Sequence, residues 1–353
     1  MFESCRAHAA MPWGRSAPLL ALLAALLTAT GAGGAATAPS YWLVETARPQ
    51  VPYGVVVWDG RSHLRLFESG RWRDATPARL PGTIYDVFFL DRRHGWLIAA
   101  DCALATGTLF RTTDAGRSWE RLPRRWTRNC SAGTTFHLDF ADRLHGWITA
   151  VDPHSSSGAS IYRTATGGRL WGVATHERNH RSDAPTRFAS PMVGWRASTW
   201  LGGSVPGPLL RTRDGGRTWA ADPQLPENRR YATPVLVGSS VVTAGARAGR
   251  IAIYQRIAGR WRRSGAVSAR RPTTVIALSA PTHAVRWLAT ESGRTVATLH
   301  LSRDGGRTWT KRPLPRGTGE LVARSATEAW VSARGRIWTT SDGGRTWRRL
   351  MPR

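Results

Sequence analysis

The sequence predicts an all-β fold, a seven-bladed β-propeller of four-stranded antiparallel blades, and three observations predict it. First, an octapeptide recurs: TTDAGRSW (112–119), TRDGGRTW (212–219), SRDGGRTW (302–309) and TSDGGRTW (340–347), with a fifth copy, TATGGRLW (164–171), lacking the Asp. Second, eroded copies ESGRW (68–72) and IAGRW (257–261) bring the closing tryptophans to seven: Trp72, Trp119, Trp171, Trp219, Trp261, Trp309 and Trp347, spaced 38 to 52 residues apart. Third, the segments between them are short period-two or apolar runs broken by Asp, Gly and Pro, without helical periodicity. Repeats of this length with four strands each close radially and leave only short sheet edges.

Taken in chain order, residues 1–36 read as an export signal. Arg15 precedes an apolar run over 17–29 and a small-residue stretch over 31–38, the charged, apolar and small regions of a signal peptide. The run is too short to span a bilayer, and Met11 is a plausible start. Residues 37–353 are then one propeller, expected to be extracytoplasmic and monomeric, with no transmembrane segment. Residues 40–47 are either the first strand of blade one or the strand that completes blade seven. In the second unit, strands are expected at 83–90, 95–100, 108–112 and 118–122. A second landmark, DRRHGW (91–96), DRLHGW (142–147), VGW (193–195), VRW (285–287) and EAW (328–330), precedes its closing Trp by 17 to 24 residues. His94 and His145 within it read as turn residues. The two landmarks together account for 12 of the 18 Trp.

Within the octapeptide, Asp114, Asp214, Asp304 and Asp342 suit acceptors for turn N–H groups. Gly116, Gly216, Gly306 and Gly344 supply backbone freedom, and Trp119, Trp171, Trp219, Trp309 and Trp347 supply blade packing. The copy with Thr166 in place of Asp, and the eroded copies, are expected to be weaker turns.

The motif S/T-x-D-x-G-x-T/S-W resembles the Asp-box, or BNR, repeat of the sialidase-like superfamily. With the GW landmark, nearly the whole mature chain resembles the photosystem II assembly and stability factor family of propellers. That resemblance implies a non-catalytic scaffold assisting assembly of a membrane or envelope protein complex. The alternative it leaves is a sialidase-like glycoside hydrolase. Such enzymes are six-bladed, with an arginine triad, a Tyr nucleophile assisted by Glu and an acidic proton donor. Here seven units are counted, no Arg-Ile-Pro segment opens the mature chain, and Tyr41, Tyr53, Tyr85 and Tyr231 have no evident Glu partner. No cofactor or metal is expected: the 10 His lack ligand spacing, and no phosphate loop or nucleophile elbow occurs.

The formal net charge is +27, and of the 50 basic residues all but Lys311 are Arg. A GC-rich coding sequence produces such an excess without any ligand, so the charge alone names no partner. Nucleic acid is disfavoured by export and by the lack of a recognisable binding module. Topology sorts the loops. Blade-to-blade connections and the loops between second and third strands share one face, and the octapeptide turns share the other. The connections expected on the first face carry Arg79; Arg124, Arg125 and Arg128; Arg178 and Arg181; Arg229 and Arg230; Arg270 and Arg271; and Arg316, with Trp126, His176 and His180 interleaved. A ring of guanidinium forks suits carboxylate, phosphate or sulfate groups of a protein complex or an anionic polymer. Cys102 and Cys130 fall on the same face and blade edge and are expected to form a disulfide. It would close a loop of about 28 residues, worth on the order of 3 kcal/mol.

Overall fold

The computed structural model describes residues 40–46, 53–59, 61–101, 106–126, 134–151, 159–176, 185–199, 206–268, 273–292 and 296–350. They form seven sheets arranged as a seven-bladed β-propeller, and no helix occurs among the described residues. Blade one is β1 (Ser40–Leu43), β3 (Tyr53–Trp58), β4 (Ser62–Glu68) and β5 (Arg71–Asp74). The short β2 (Glu45–Thr46) runs parallel to the first strand of blade two, β6 (Thr83–Phe89), which continues as β7 (Gly95–Asp101), β8 (Thr106–Thr112) and β9 (Glu120–Trp126). Blade three is β10 (Thr135–Phe140), β11 (Gly146–Val151), β12 (Ala159–Thr164) and β13 (Gly172–His176). Blade four is β14 (Arg187–Phe188), β15 (Gly194–Thr199), β16 (Pro206–Thr212) and β17 (Ala220–Ala221). Blade five is β18 (Arg230–Tyr231), β19 (Val235–Val237), β20 (Ser240–Arg247), β21 (Arg250–Ile257) and β22 (Arg260–Ser268), with β18 and β19 both paired to β20. Blade six is β23 (Thr273–Ser279), β24 (Arg286–Ser292), β25 (Val296–Ser302) and β26 (Thr310–Pro313). Blade seven is β27 (Thr318–Ala323), β28 (Ala329–Ala333), β29 (Arg336–Thr340) and β30 (Arg348–Leu350).

The core lies between blades, and the second-landmark tryptophans join them. Trp96, Trp147, Trp195 and Trp287 are fully buried on the second strands of their blades. Trp96 stacks on Phe140 of the next blade at 3.6 Å, and Trp147 on Phe188 at 3.4 Å. Their indole N–H groups donate to Gly167 O (3.0 Å) and Gly215 O (2.9 Å) in the following blade's octapeptide turn. Trp96 and Trp147 therefore each fix one blade to the next by ring contact and by a buried hydrogen bond, whereas Trp195 donates to Asp222 of its own blade. The stacked Phe needs a glycine behind it. A Cβ on Gly146 would stand 2.2 Å from Phe140, and one on Gly95 or Gly194 would stand 2.6 Å from Phe89 or Phe188. Blade six holds Ala280 and Arg286 where blades two, three and four hold Phe and Gly, so a small inner residue makes room for a large one. Arg286 is fully buried there, its guanidinium donating to Thr282 O and Val285 O, and burial lowers its pKa to about 10.

The octapeptide turns share one hydrogen-bond set. In blade two, Gly116 N–H donates to Thr112 Oγ1 (2.8 Å), and Asp114 accepts from Ser118 N (2.9 Å) and Ser118 Oγ (2.6 Å). Blades four, six and seven repeat it through Asp214, Asp304 and Asp342. Slight burial raises the pKa of Asp114 and Asp214, but the bonds from Ser118 and Thr218 overcome it and hold both at about 2. In blade three, Thr166 Oγ1 accepts only Leu170 N–H from this set, at 2.8 Å, and the Gly168 to Thr164 bond lengthens to 3.1 Å. The eroded copies differ in kind. Ser69-Gly70 and Ala258-Gly259 are two-residue hairpin turns, both residues at positive φ, a geometry that matches strand twist and needs no capping carboxylate.

Blade one begins with β1, which pairs antiparallel with β3, so residues 40–43 belong to blade one and blade seven is complete without them. The ring closes by Tyr41 N–H to Gly335 O (3.2 Å), Leu43 N–H to Glu320 Oε2 (2.8 Å) and the rings of Phe67, Trp72 and Trp330 at 5.2–5.5 Å. The fourth strand of blade two is the main departure from the expected boundaries. It starts at Glu120 and runs to Trp126, so Arg124, Arg125 and Trp126 have strand backbone and do not lie in a connection. Arg230 likewise lies in β18.

Candidate functional site

The octapeptide turns and the second-landmark turns occupy one face, tied together within each blade by bonds such as Ala115 N–H to Arg93 O (2.9 Å) and Gly343 N–H to Thr327 O (2.8 Å). Arginines on this face are largely committed to structure. Arg73 donates to Ala115 O (2.6 Å) and Gly116 O (3.2 Å), Arg117 to Asp114 O (3.0 Å), Arg217 to Asp214 O (3.2 Å), Arg93 to Thr113 O (3.2 Å) and Arg312 to Asp342 O (3.3 Å). Glu120 binds Arg111 at 2.6 Å and Arg169 at 2.8 Å. Arg71, Arg143, Arg213, Arg260, Arg307 and Arg345 make no side-chain hydrogen bond or ion pair among the described residues. In the second-landmark turns, Asp91 and Asp142 accept the backbone N–H and ring nitrogen of His94 and His145. These contacts lower both Asp pKa values in spite of burial.

The opposite face is built from connections and second-to-third-strand turns, as Arg334 N–H to Gly317 O (3.3 Å) shows. Arg61, Arg79, Arg247, Arg250, Arg316, Arg334 and Arg336 lie there, all exposed. None of them makes a side-chain hydrogen bond or ion pair with another described residue. Arg229, half-buried, donates to Gly245 O at 3.3 Å. Of the arginines expected on this face from sequence, Arg79 and Arg316 are exposed in connections, Arg229 lines one and Arg230 has moved into a strand. Arg128, Arg178, Arg181, Arg270, Arg271, His180, Cys102 and Cys130 lie outside the described residues, as does the stretch 1–36 expected to be an export signal. His176 closes β13 with Ser160 Oγ at 3.0 Å from Nδ1. Arg247, Arg250, Arg334 and Arg336 were not singled out by sequence reasoning. Their signal was the tight turns ARAGR and ARGR, where arginines flank or occupy a two-residue hairpin.

The central channel holds a cavity of about 250 Å³ lined by first strands, chiefly Val44, Leu236, Ile276, Leu278 and Val322, with Arg187 3.7 Å from Asp139. Side chains on its wall join neighbouring blades. Asp86 accepts Leu138 N–H (2.5 Å), Asp139 accepts Phe188 N–H (2.6 Å), Ser279 accepts Ala323 N–H (3.0 Å), and Glu320 accepts Leu43 N–H. These channel carboxylates thus serve as acceptors for the next blade's backbone. Tyr231 donates its hydroxyl to Pro226 O (2.7 Å), and burial pushes its pKa up. Among the described residues no cluster of three His, Cys, Asp or Glu could hold a metal ion, and no helix is long and apolar enough to cross a membrane.

No protein-family model matches the chain, and no curated protein matches it. Solved structures do. A GH74 enzyme from Niastella koreensis superposes with a TM-score of 0.57 at 13% identity, covering 88% of this chain and 54% of that one. The GH74 xyloglucanase from Xanthomonas campestris gives 0.57 at 14% identity, covering 87% and 54%. YCF48 from Cyanidioschyzon merolae gives 0.50 at 16% identity, covering 78% and 87%. The chain thus spans about half the length of the GH74 structures and most of YCF48. At these identities the likeness shows the shared propeller fold and nothing finer.

Proposed function

We propose that the protein is an exported, non-catalytic propeller that holds an anionic partner on the face formed by its blade-to-blade connections. One observation carries this reading: on the octapeptide face Arg73, Arg93, Arg117, Arg217 and Arg312 cap carbonyls and Arg111 and Arg169 pair with Glu120, alongside six arginines without a described partner, whereas none of the seven exposed arginines on the connection face has one. Guanidinium forks without internal partners are free to take carboxylate, phosphate or sulfate bidentately. Their clustering focuses the field and accelerates encounter with a negative surface. The resemblance to photosystem II assembly and stability factors extends the role to assisting assembly of a membrane or envelope protein complex. Sialidase-like hydrolysis is less well supported, because Asp86, Asp139 and Glu320 are occupied as backbone acceptors and the Tyr231 hydroxyl is bonded to a carbonyl.

The test compares two variants of equal charge on an immobilised polyaspartate column under a salt gradient. Arg61→Gln/Arg247→Gln/Arg250→Gln removes three charges from the connection face, and Arg143→Gln/Arg307→Gln/Arg345→Gln removes three from the other. The first variant is expected to elute at clearly lower salt and the second close to wild type. Equal shifts would mean that bulk charge alone governs retention and would overturn the reading.

A further inference from the structure

At the boundary of blades six and seven, a pocket of about 370 Å³ opens beside the connection between β26 and β27. Its rim carries three exposed guanidinium groups from two segments: Arg316 from that connection, and Arg334 and Arg336 from the β28–β29 turn. The two segments touch, since a Cβ on Gly317 would stand 2.8 Å from Arg334 Cγ. The floor is flat and apolar, made by Trp338, Trp347 and the Pro313–Leu314–Pro315 run. Arg336 and Trp338 stand two residues apart on one strand and so share a face. The one indole donor with a partner there, Trp347 Nε1, is already bonded to Pro313 O at 3.2 Å.

The chemistry of this lining is one-sided. Among its side chains are donors and apolar rings, and no Asp, Glu, Asn, Gln, Ser or Thr. A neutral sugar or a peptide backbone brings N–H or O–H donors that would go unmatched, which is costly on desolvation. A ligand that fits is rich in acceptors, doubly charged and attached to something flat or apolar. Three guanidinium groups also match three terminal oxygens better than the two of a single carboxylate.

Backbone conformation adds a second, independent feature. Arg334 has φ +50 and precedes Gly335 at φ +66. Two-residue turns of the same geometry at Ser69-Gly70, Ala248-Gly249 and Ala258-Gly259 place Ser or Ala at that position, and Arg79, at φ +57, is the other arginine with positive φ among the described residues. A long cationic side chain has no conformational advantage at such a position, so the place of Arg334 in this turn is explained by what it faces, the pocket rim.

We propose that this pocket binds a phosphate monoester carried on a flat or apolar body, a small-ligand site distinct from general docking of an anionic partner. It draws on guanidinium groups of the same face as the proposed function, so the test separates the two. Binding of phenyl phosphate, benzoate and inorganic phosphate to the full chain is measured by tryptophan fluorescence and calorimetry at pH 8. Phenyl phosphate is expected to bind at least tenfold more tightly than either of the others. Arg334→Asn, which suits a positive φ and so keeps the turn, is expected to weaken phenyl phosphate at least tenfold with no loss of thermal stability. Arg247→Gln/Arg250→Gln on blade five is expected to leave it unchanged while lowering polyaspartate retention. Equal affinity for benzoate and phenyl phosphate, or an unaltered Arg334→Asn, would overturn the pocket. If phenyl phosphate fails while polyaspartate retention still depends on blade five, the pocket is wrong and the docking face stands. Vesicles doped with phosphatidic acid, compared with phosphatidylcholine alone, show whether the ester is presented by a membrane or in solution.

Discussion

Adding one methyl group at Gly146 should cost about 3 kcal/mol, the upper part of the usual range for overpacking. The new Cβ would lie 2.2, 2.4 and 2.6 Å from three atoms of the Phe140 ring. That ring cannot retreat, because Trp96 stacks on it at 3.6 Å and Trp171 meets it edge-on at 6.2 Å. Phe140→Ala alone removes a fully buried ring and should cost about 3–5 kcal/mol through lost burial and a cavity. In the double variant the clash disappears, and the new methyl refills part of the cavity. Blade seven already uses this solution with Ala323 and Ala329. Phe140→Ala/Gly146→Ala should therefore be less destabilised than the sum of the single variants by about 2–3 kcal/mol. Denaturant midpoints at unchanged slope, followed by tryptophan fluorescence on all four proteins, give the coupling directly. Additivity within about 0.5 kcal/mol would show that the Phe and the Gly are not packed as a pair.

Two further outcomes depend on pH. His300 is buried on β25, with Nε2 3.0 Å from Thr290 Oγ1, and burial together with the Lys311 charge lowers its pKa to about 4 from 6.5. Between these values the unfolded chain binds the extra proton, so stability should fall as pH drops from 6.5 to 4. His300→Gln should flatten that slope in thermal melts, and an unchanged slope would rule His300 out as its source. Asp114 and Asp214 have folded pKa values near 2 against 3.8, so the stability they add is full above 3.8 and is lost as pH falls through 2. Asp114→Asn/Asp214→Asn should lower stability at pH 7 and leave less to lose between pH 4 and 2. The same acid limb as wild type would contradict the hydrogen-bond account of these turns.

The blade count was legible because each octapeptide places Gly and Trp, and four of the five also Asp, at fixed offsets, and because a turn satisfied within eight residues leaves a local signature. Contacts between blades left none. Asp86 reaches Leu138 and Trp96 reaches Gly167, partners far apart in the chain, so nothing in the second unit shows what either side chain does. The Phe–Gly pair six residues apart (Phe89/Gly95, Phe140/Gly146, Phe188/Gly194) was present in the letters, yet it acquires meaning only once the ring is seen resting on the missing Cβ. The outer edge of blade two was misjudged because Arg124, Arg125 and Trp126 follow Pro123, which reads as the end of a strand but is tolerated in an outermost one. Charge composition could not sort the arginines, since whether a guanidinium is committed depends on which carbonyl a neighbouring blade offers it.

Closure without an exchanged strand has a mechanical consequence. In the described residues the joint between the first and last blades includes one main-chain bond from Tyr41, one carboxylate bond from Glu320 and an apolar cluster of Leu43, Val55, Val57, Phe67, Trp72, Trp330 and Ile337. Most blades, in contrast, are sheets whose strands are paired over four to eight residues, blade four with its two-residue first and last strands excepted. Tension applied between the two ends loads the joint directly. It should part there as a unit, turning the ring into an open arc of intact blades before any sheet begins to unravel.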